Sequence, residues 1–204
     1  RNGLVVWTGG NASARVPGAD LMLIKPSGID YDDLTPESIV LCDLHGNVVE
    51  GDLAPSSDTA SHCYIYRHLP SVGGVTHTHS TYACAWAARG EPVPCVLTAM
   101  ADEFGGDIPC APFVLIGTEA IGEVVVRALR TSASSAVLVQ NHGPFTVGAT
   151  VRAAVKSAVM CEDVCRTVHI AYQIGEPLAI APEHIRSLYD RYQNVYGQHP
   201  TEEN

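Results

Sequence analysis

Residues 73–80 read Gly-Gly-Val-Thr-His-Thr-His-Ser and combine a glycine pair, three β-branched residues and two histidines separated by one position. This composition predicts a strand over residues 74–79. Successive side chains of a strand point to opposite faces, so His77 and His79 are expected on the same face. Two imidazoles on one face can bind one metal ion, although an isolated H-x-H pair is also found as incidental surface or core histidines.

The composition predicts a single globular domain spanning residues 1–204. Of the 204 residues, 46% are hydrophobic and 17% are charged, which is enough to bury one sizeable core. The chain begins at Arg1 rather than Met, so we expect the N-terminus to be incomplete, and no secretory signal can be read at its start. The longest apolar runs, such as Ala136–Val139, are far shorter than the roughly 18 residues of a membrane span, which predicts no membrane partner.

The net charge limits the classes of partner that the protein can be expected to bind, and the cysteines indicate its cellular compartment. A formal net charge of −10 argues against nucleic acid as a partner, because a phosphate backbone requires a basic footprint. An anionic substrate would need a local cluster of backbone N–H groups, hydroxyls and one or two cations. The seven cysteines are odd in number and include no C-x-x-C pair, which favours reduced thiols in a cytoplasmic protein.

Strand and helix patterns alternate irregularly along the sequence. The β-rich runs that predict strands are 20–25, 39–43, 74–79, 136–140 and 145–147. The helical patterns are 59–68, 81–89, 150–175 and 183–196. Asp58 or Ser57 is expected to cap the first of these helices. Because a steady β-α-β rhythm is missing from the pattern, we expect a layered α/β domain rather than a parallel sheet.

A third candidate metal ligand follows the buried-strand pattern of residues 136–140. The segment Asn-His-Gly-Pro comes directly after this run and places His142 at a strand end beside a turn, where functional residues are often found. Three neutral imidazoles suit Zn²⁺, which in catalytic sites keeps its remaining position for a water, a carboxylate or the substrate. The alternative is that His142 only caps the turn through its ring nitrogens. The histidines expected on the surface or on helix faces are those at positions 45, 62, 68, 169 and 199.

Seven short motifs follow one another between Trp7 and Gln198. They are G-G-N-A-S (9–13), K-P-S-G (25–28), P-S-S-D-T (55–59), H-T-H-S (77–80), the A-D of M-A-D-E-F (100–104), N-H-G-P-F (141–145) and Y-G-Q (196–198). In this order they resemble the L-ribulose-5-phosphate 4-epimerases of the class II aldolase and epimerase family. One departure is Met100, since these epimerases usually have a histidine at that position.

The resemblance implies a fold, an assembly and a metal site. The fold is an α/β class, a three-layer α/β/α single domain with a largely antiparallel central sheet, and the assembly is a fourfold-symmetric homotetramer whose sites lie between subunits. The metal, Zn²⁺, is assigned to His77, His79 and His142, with Asp58 beside it. This assignment agrees with the three imidazoles identified above from the residues alone.

The activity that the resemblance implies is epimerisation of a phosphorylated ketopentose, L-ribulose 5-phosphate, to D-xylulose 5-phosphate at C4. Removing a proton from C4 is difficult because no carbonyl lies next to that carbon. Breaking and re-forming the C3–C4 bond is easier, because a Lewis-acidic metal stabilises the charge that develops. This route needs a proton-handling group on each side of the aldehyde fragment, and the resemblance points to Asp102 and to Tyr196 of an adjacent subunit. Without the resemblance, Asp102 would be interpreted as a turn or cap residue.

The phosphate of such a substrate would have to be bound without a strong basic patch. The residues that offer hydroxyls, an amide and backbone donors to an oxyanion are Gly10, Asn11, Ser27, Gly28, Ser56 and Ser57. Lys25 is the only lysine in the first half of the chain and matches the family's lysine before P-S-G, so we expect it near the phosphate. The alternative for Lys25 is a solvated charge at a strand end.

Two rival functions are compatible with the same motifs. An aldolase of the family, such as L-fuculose-1-phosphate aldolase, would break the same kind of bond and release the fragments. It carries a glutamate base where this chain has Asp58, and the shorter carboxylate favours the epimerase. A non-catalytic scaffold resembling the adducin head would be expected to lack the metal-binding histidines, whereas all three are present here.

Overall fold

The middle layer of the structure is an eight-stranded sheet. The structure is a computed structural model that describes residues 2–195. The strands are β1 (Asn11–Arg15), β2 (Leu21–Ile24), β3 (Val40–Asp43), β4 (Val48–Glu50), β5 (Gly74–His77), β6 (Cys110–Ala111), β7 (Ala136–Val139) and β8 (Gly143–Gly148). Their order in the sheet is β4-β3-β2-β1-β5-β8-β7-β6, and every neighbouring pair is antiparallel except β6 with β7.

Helices cover both faces of this sheet. They are α1 (Thr59–His68), α2 (Thr81–Arg89), α3 (Thr98–Phe104), α4 (Ala120–Arg130), α5 (Val151–Ile174) and α6 (Pro182–Asn194), with short 3-10 turns at 31–33 and 36–38. One apolar core joins α1 and α4 to the sheet, and a second joins α2, α3 and α5 to its other face, with α6 packed on α3. The predicted three-layer α/β/α architecture with a largely antiparallel sheet is therefore confirmed.

Strand β7 explains why the sequence pattern of a buried strand is continuous rather than alternating. Ala136 and Leu138 belong to the core beneath α2 and α5, whereas Val137 and Val139 belong to the core beneath α1 and α4. All four side chains are fully buried. A strand that has helices on both faces has no solvent side, so each of its positions is apolar.

Several element boundaries differ from the prediction. The helices expected at 59–68 and 81–89 have those bounds, but the strand expected over 74–79 ends at His77. The elements that the sequence patterns did not predict are β1, β4, β6, α3 and α4. Strand β1 reads Asn-Ala-Ser-Ala-Arg, residues that are poor strand formers, and it exists because β2 and β5 pair with it on both sides.

The glycine pair before β5 lets the start of α5 lie directly against the sheet. A Cβ at Gly73 would collide with the carbonyl oxygen of Ala149, and a Cβ at Gly74 would collide with the backbone of Val151 at the first turn of α5. Side chains at these positions would push helix and strand apart. The glycines thus set the distance between α5 and the strand that carries His77.

The sequence-based expectations on membranes and thiols can be compared with the described residues. Within residues 2–195, none of the helices combines the length and the apolar character that crossing a membrane requires. All seven cysteines lie in this part of the chain and are unpaired, and five of them, including Cys161 and Cys165 on α5, are buried.

Substituting Gly74 tests the close approach of α5 to β5. Gly74→Ala is expected to lower the free energy of unfolding by about 3 kcal/mol, because the added methyl group overpacks the contact with Val151. Gly18→Ala is the control. Gly18 has a left-handed backbone (φ +74°), but no atom lies within 4 Å of the place an added methyl group would take, so only about 1 kcal/mol of backbone strain is expected. Urea denaturation at one protein concentration measures both, and equal losses would contradict the packing account.

Candidate metal centre and substrate pocket

Three histidines meet at one end of the central strands. His77 is the last residue of β5, His79 lies two residues further on, and His142 lies in the turn between β7 and β8. One ligand nitrogen from each ring lies within 4.8 Å of the others. The three rings that the sequence singled out are therefore close enough to share one ion.

His77 is held in the form that binds a metal. Its side chain is 1% exposed, its ring stacks on Phe145 with centroids 4.2 Å apart, and Nδ1 lies 3.0 Å from the carbonyl oxygen of Pro144. Because a carbonyl oxygen can only accept, Nδ1 carries the hydrogen and Nε2 keeps its lone pair. Burial lowers the pKa of His77 well below its ordinary value, and the rings of His142 and His79 lower it further. His77 is thus neutral at pH 7.

The β7–β8 turn fixes the position of His142. Asn141 has a left-handed backbone (φ 59°), which asparagine tolerates better than most residues, and a Cβ at Gly143 would lie 2.7 Å from the carbonyl oxygen of Thr78. This turn therefore lies directly against the end of β5. Nδ1 of His142 is buried and has no hydrogen-bond partner among residues 2–195. Burial also lowers the pKa of this imidazole, which favours its neutral form.

The arrangement of the rings fits a metal ion. His79 is exposed, and its Nε2 lies 2.8 Å from Nε2 of His77. Two ring nitrogens at this distance repel each other unless a proton or a cation lies between their lone pairs. Together with the partnerless Nδ1 of His142, this geometry and the three imidazole nitrogens match the ligand set that Zn²⁺ prefers in catalytic sites.

Asp58 faces the histidines and does not cap its helix. It occupies the N-cap position of α1, but its side chain makes no capping hydrogen bond, so the predicted cap is wrong for Asp58. Instead, Nδ2 of Asn11 donates to Oδ2 of Asp58 at 2.7 Å, and the same oxygen lies 4.0 Å from Nε2 of His77. The carboxylate is drawn toward β1 and the metal centre because Asn11 is paired directly opposite His77 in the sheet.

A buried polar ladder continues from Asp58 along α1 and β1. Ser13 Oγ lies 2.7 Å from Nδ1 of His62 and 2.8 Å from the hydroxyl of Tyr66, and Arg15 donates to the Tyr66 carbonyl. Four residues of a helix rise about 6.0 Å and two residues of a strand rise about 6.7 Å. Because these distances are nearly equal, every fourth residue of α1 can contact every second residue of β1. This ladder fixes α1, and with it Asp58, against the sheet.

His62 is a neighbour of the metal centre. Of the two predicted positions, the surface is wrong and a helix face is right: His62 lies on the face of α1 that packs against the sheet, is completely buried, and its Nε2 has no partner among residues 2–195. Burial lowers its pKa to about 3, which keeps the ring neutral beside Asp58 and His77. The spacing of Asp58, His62 and Tyr66 at every fourth position was the signal in the sequence, because it places all three on one helix face.

A pocket of about 320 Å³ opens beside the histidines, a size at the lower end of the range for small-ligand sites. Its lining includes all of the predicted substrate-binding residues together with three of the predicted metal-site residues: Gly10, Asn11, Lys25, Ser27, Gly28, Ser56, Ser57, Asp58, His79 and His142. The loops that carry them are joined by backbone hydrogen bonds from Ser27 to Ala54 and from Ser56 to Lys25. His77 lies behind this wall and is fully buried.

Lys25 is buried and not a solvated charge at a strand end. Only 4% of the residue is exposed, and Nζ donates to the carbonyl oxygens of Ile29 at 2.7 Å and Pro26 at 3.2 Å. Burial lowers the pKa of this ammonium group, and the nearby Asp30 partly offsets that effect. Lys25 therefore shapes the loop that carries Ser27 and Gly28 while it places a positive charge at the pocket wall.

Of the two predicted proton-handling residues the structure describes only Asp102, and it does not line this pocket. Asp102 lies inside α3 rather than in a turn or cap, and it is not among the residues that line the pocket. Its carbonyl oxygen accepts a hydrogen bond from Gln193 of α6 at 3.3 Å, while Oδ1 is buried and partnerless within the described part of the chain. Tyr196 lies outside the described residues.

Comparison with known proteins agrees with the fold. The family described as "Class II Aldolase and Adducin N-terminal domain" matches residues 1–169. A solved L-fuculose 1-phosphate aldolase is 30% identical over 93% of this chain and 88% of its own, with a TM-score of 0.87. The corresponding enzyme from Thermus thermophilus is 26% identical over 86% of this chain and 90% of its own, with a TM-score of 0.71.

A second type of relative has a broader description. YgbL from Klebsiella pneumoniae, called a putative aldolase/epimerase/decarboxylase, is 25% identical over 91% of this chain and 89% of its own, with a TM-score of 0.73. The family match covers well over half of the sequence, and the 30% identical structure extends over nearly all of it. The chain therefore belongs to the class II aldolase and adducin N-terminal domain family.

Proposed function

We propose that the protein is a zinc-dependent L-ribulose-5-phosphate 4-epimerase, which converts L-ribulose 5-phosphate to D-xylulose 5-phosphate by breaking and re-forming the C3–C4 bond. The observation that carries this proposal is the joining of a three-imidazole centre and a carboxylate to a pocket lined by hydroxyls and backbone donors. The imidazole centre and carboxylate suit carbon–carbon cleavage of a ketose, and the pocket lining suits binding of a phosphate group.

The metal centre consists of His77, His79 and His142, with Asp58 beside it. Zinc bound there would supply a Lewis acid that stabilises the negative charge developing on the ketose oxygens as the bond breaks. The contribution of the chain is to orient the three rings and to keep His77 and His142 neutral. The hydrogen bond from His77 Nδ1 to the Pro144 carbonyl and the low pKa of His77 support this role.

Epimerisation at C4 requires the cleaved fragment to stay in the pocket. When the C4 hydroxyl loses its proton and the C3–C4 bond breaks, the bonding electrons pass to the ketose part and C4 becomes the aldehyde carbon of glycolaldehyde phosphate. The fragment must then rotate and present its other face before the bond forms again. Hydroxyls of Ser27, Ser56 and Ser57 and the charge of Lys25 line one wall of the pocket and are suited to retain the phosphate during this rotation.

Asp58 favours epimerisation over release of the fragments. A family aldolase uses a longer glutamate base at this position, and the aspartate here is one methylene shorter. Its carboxylate is also held toward the metal centre by the 2.7 Å hydrogen bond from Asn11. We propose that it assists the metal centre and does not reach out to a carbon of the substrate.

Asp102 and Tyr196 are proposed as the two proton-handling groups. Tyr196 is proposed to come from a neighbouring copy in a homotetramer, as the family resemblance implies. Asp102 does not line the pocket of its own chain, and its carbonyl oxygen accepts a hydrogen bond from Gln193 of α6.

An L-fuculose-1-phosphate aldolase activity is the second candidate. The observation in its favour is the 30% identity and the TM-score of 0.87 to a solved protein of that name. Both candidates share the metal centre and the cleavage step, and they differ in whether the aldehyde fragment leaves. A non-catalytic scaffold is disfavoured because three ligating histidines would have no purpose in it.

The fate of the fragment separates epimerase from aldolase. Zinc-loaded protein incubated with L-ribulose 5-phosphate is expected to produce D-xylulose 5-phosphate, with glycolaldehyde phosphate remaining far below the amount of product. Chromatography of the sugar phosphates measures both, and protein treated with a chelator serves as the control. Accumulation of free glycolaldehyde phosphate without the epimer would reject the epimerase in favour of an aldolase.

Three substitutions separate metal binding from proton transfer. Asp102→Asn and Tyr196→Phe are each expected to lower kcat by about 100-fold or more with zinc content unchanged, because a proton-transfer group contributes about that factor and neither residue is a proposed ligand. His79→Asn is the contrasting variant and is expected to lose zinc and activity together. Metal analysis and steady-state kinetics test this division, which loss of zinc from either of the first two variants would disprove.

A further inference from the structure

We propose that Glu162, in the middle of α5, is a positioning residue for the metal ligand His79. Glu162 contacts no metal ligand itself and acts through the first turn of α2, the helix that starts directly after the His-x-His segment. The inference rests on the metal centre of the proposed function and does not depend on which sugar phosphate is the substrate.

The first turn of α2 lacks the usual cap from its own N-cap residue. Ser80 occupies the N-cap position, but its side chain makes no capping hydrogen bond and lies 3.4 Å from the Thr78 hydroxyl instead. The first N–H groups of a helix have no partner within the helix and need one from elsewhere. The Glu162 carboxylate provides it, accepting from Tyr82 N–H at 3.0 and 3.1 Å and from Ala83 N–H at 2.9 Å.

His79 depends on this turn more than the other two ligands depend on theirs. His77 is buried in a strand and bonded to Pro144, whereas His79 is exposed and lies beyond the end of β5. Among residues 2–195, the only hydrogen bond of its ring is the one to His77. The position of the His79 ring is therefore set by its backbone, which Leu4 holds on one side through a 3.2 Å hydrogen bond and α2 holds on the other.

The start of α2 is also connected to the third ligand. Cys84 lies near the start of α2, and its thiol donates to the carbonyl oxygen of His142 at 3.5 Å. A displacement of α2 would thus affect both ligands that border the open side of the pocket. Glu162 is well placed to prevent such a displacement, because it lies on a 24-residue helix that packs along β5 and β8.

The contact between Glu162 and α2 belongs to a continuous helix–helix interface. The ring of Tyr82 is also approached by Arg166, whose guanidinium lies 5.8 Å from the ring centroid, and by His169, whose ring centroid is 5.6 Å away. Glu162, Arg166 and His169 follow at spacings of four and three residues and so share one face of α5. The carboxylate is therefore aligned with the α2 terminus by packing as well as by charge, and a negative charge at a helix N-terminus is favourable.

Zinc affinity is the measurement that tests the proposal. Glu162→Ala is expected to weaken zinc binding by about tenfold or more, the usual effect of losing a residue that orients a metal ligand. Glu162→Gln keeps one acceptor oxygen but loses the charge, so a loss of about two- to fivefold is expected, corresponding to the effect of a charge at a helix N-terminus. Competition with a chromophoric chelator gives the dissociation constants of the full-length proteins.

Asp163 provides the matched control. It is the next residue of α5, it is exposed, and within the described residues it forms no hydrogen bond or ion pair, so Asp163→Ala and Asp163→Asn change the same charge without removing a hydrogen bond to α2. Both are expected to bind zinc as the unchanged protein does. The unfolding midpoint of the metal-free proteins is measured alongside, since a residue with only a structural role would lower that midpoint without changing zinc affinity.

Equal zinc affinity for Glu162→Ala and Asp163→Ala would overturn the proposal. If Glu162→Ala does not fold, Glu162→Gln takes its place, and an affinity equal to that of Asp163→Asn would then be the contradicting result. Failure of the unchanged protein to bind zinc would instead reject the metal centre of the proposed function. The two failures are therefore distinguishable.

Discussion

The antiparallel register of β5 with its two neighbours is the constraint on which the site depends. His77 is paired with Asn11 of β1 on one side and with Phe145 of β8 on the other. The first pairing brings an amide to the Asp58 carboxylate, and the second brings the turn that carries His142 against the end of β5. Since a slip by one residue would turn every side chain to the opposite face, the metal centre exists in this register only.

The side chains packed between α1 and β1, next to the metal centre, are polar, and their hydrogen bonds fix the position of α1. The ladder of Ser13, His62 and Tyr66 lies between α1 and β1 and holds α1, with Asp58 at its start, against the sheet. Burial keeps both His62 and His77 neutral, so neither ring adds a positive charge beside the Asp58 carboxylate. Of the proposed ligands, His77 can therefore bind a divalent cation without first having to release a proton.

The net charge of −10 and the proposed sugar-phosphate substrate are reconciled by local geometry. The pocket wall contains one ammonium group, that of Lys25, and its hydrogens already bond to carbonyl oxygens of the adjacent loop. Recognition of a phosphate would therefore depend on serine hydroxyls and backbone N–H groups, with the lysine and the metal supplying positive charge. Such a site is selective by shape and hydrogen bonding more than by long-range attraction.

The sequence predicted the local features of this structure better than its long-range features. The H-x-H pair, the Asn-His-Gly-Pro turn and the helices at 59–68 and 81–89 could be read from local patterns, since each depends on residues close in sequence. Strand β1 could not, because its pairing with β5 joins residues 60 to 66 positions apart. The burial of His62 had only its spacing from Asp58 and Tyr66 as a signal, since its partner Ser13 lies 49 positions away. The partner of the α2 terminus, Glu162, lies 80 positions from Tyr82 and left no local signal for the same reason.

X-ray absorption at the zinc edge of the zinc-loaded protein tests the shared metal centre most directly. One ion per chain with three imidazole nitrogens at about 2.0–2.1 Å is the predicted first shell, completed by oxygen. A shell containing sulfur at about 2.3 Å, or one made of oxygen without imidazole scattering, would contradict a centre formed by His77, His79 and His142.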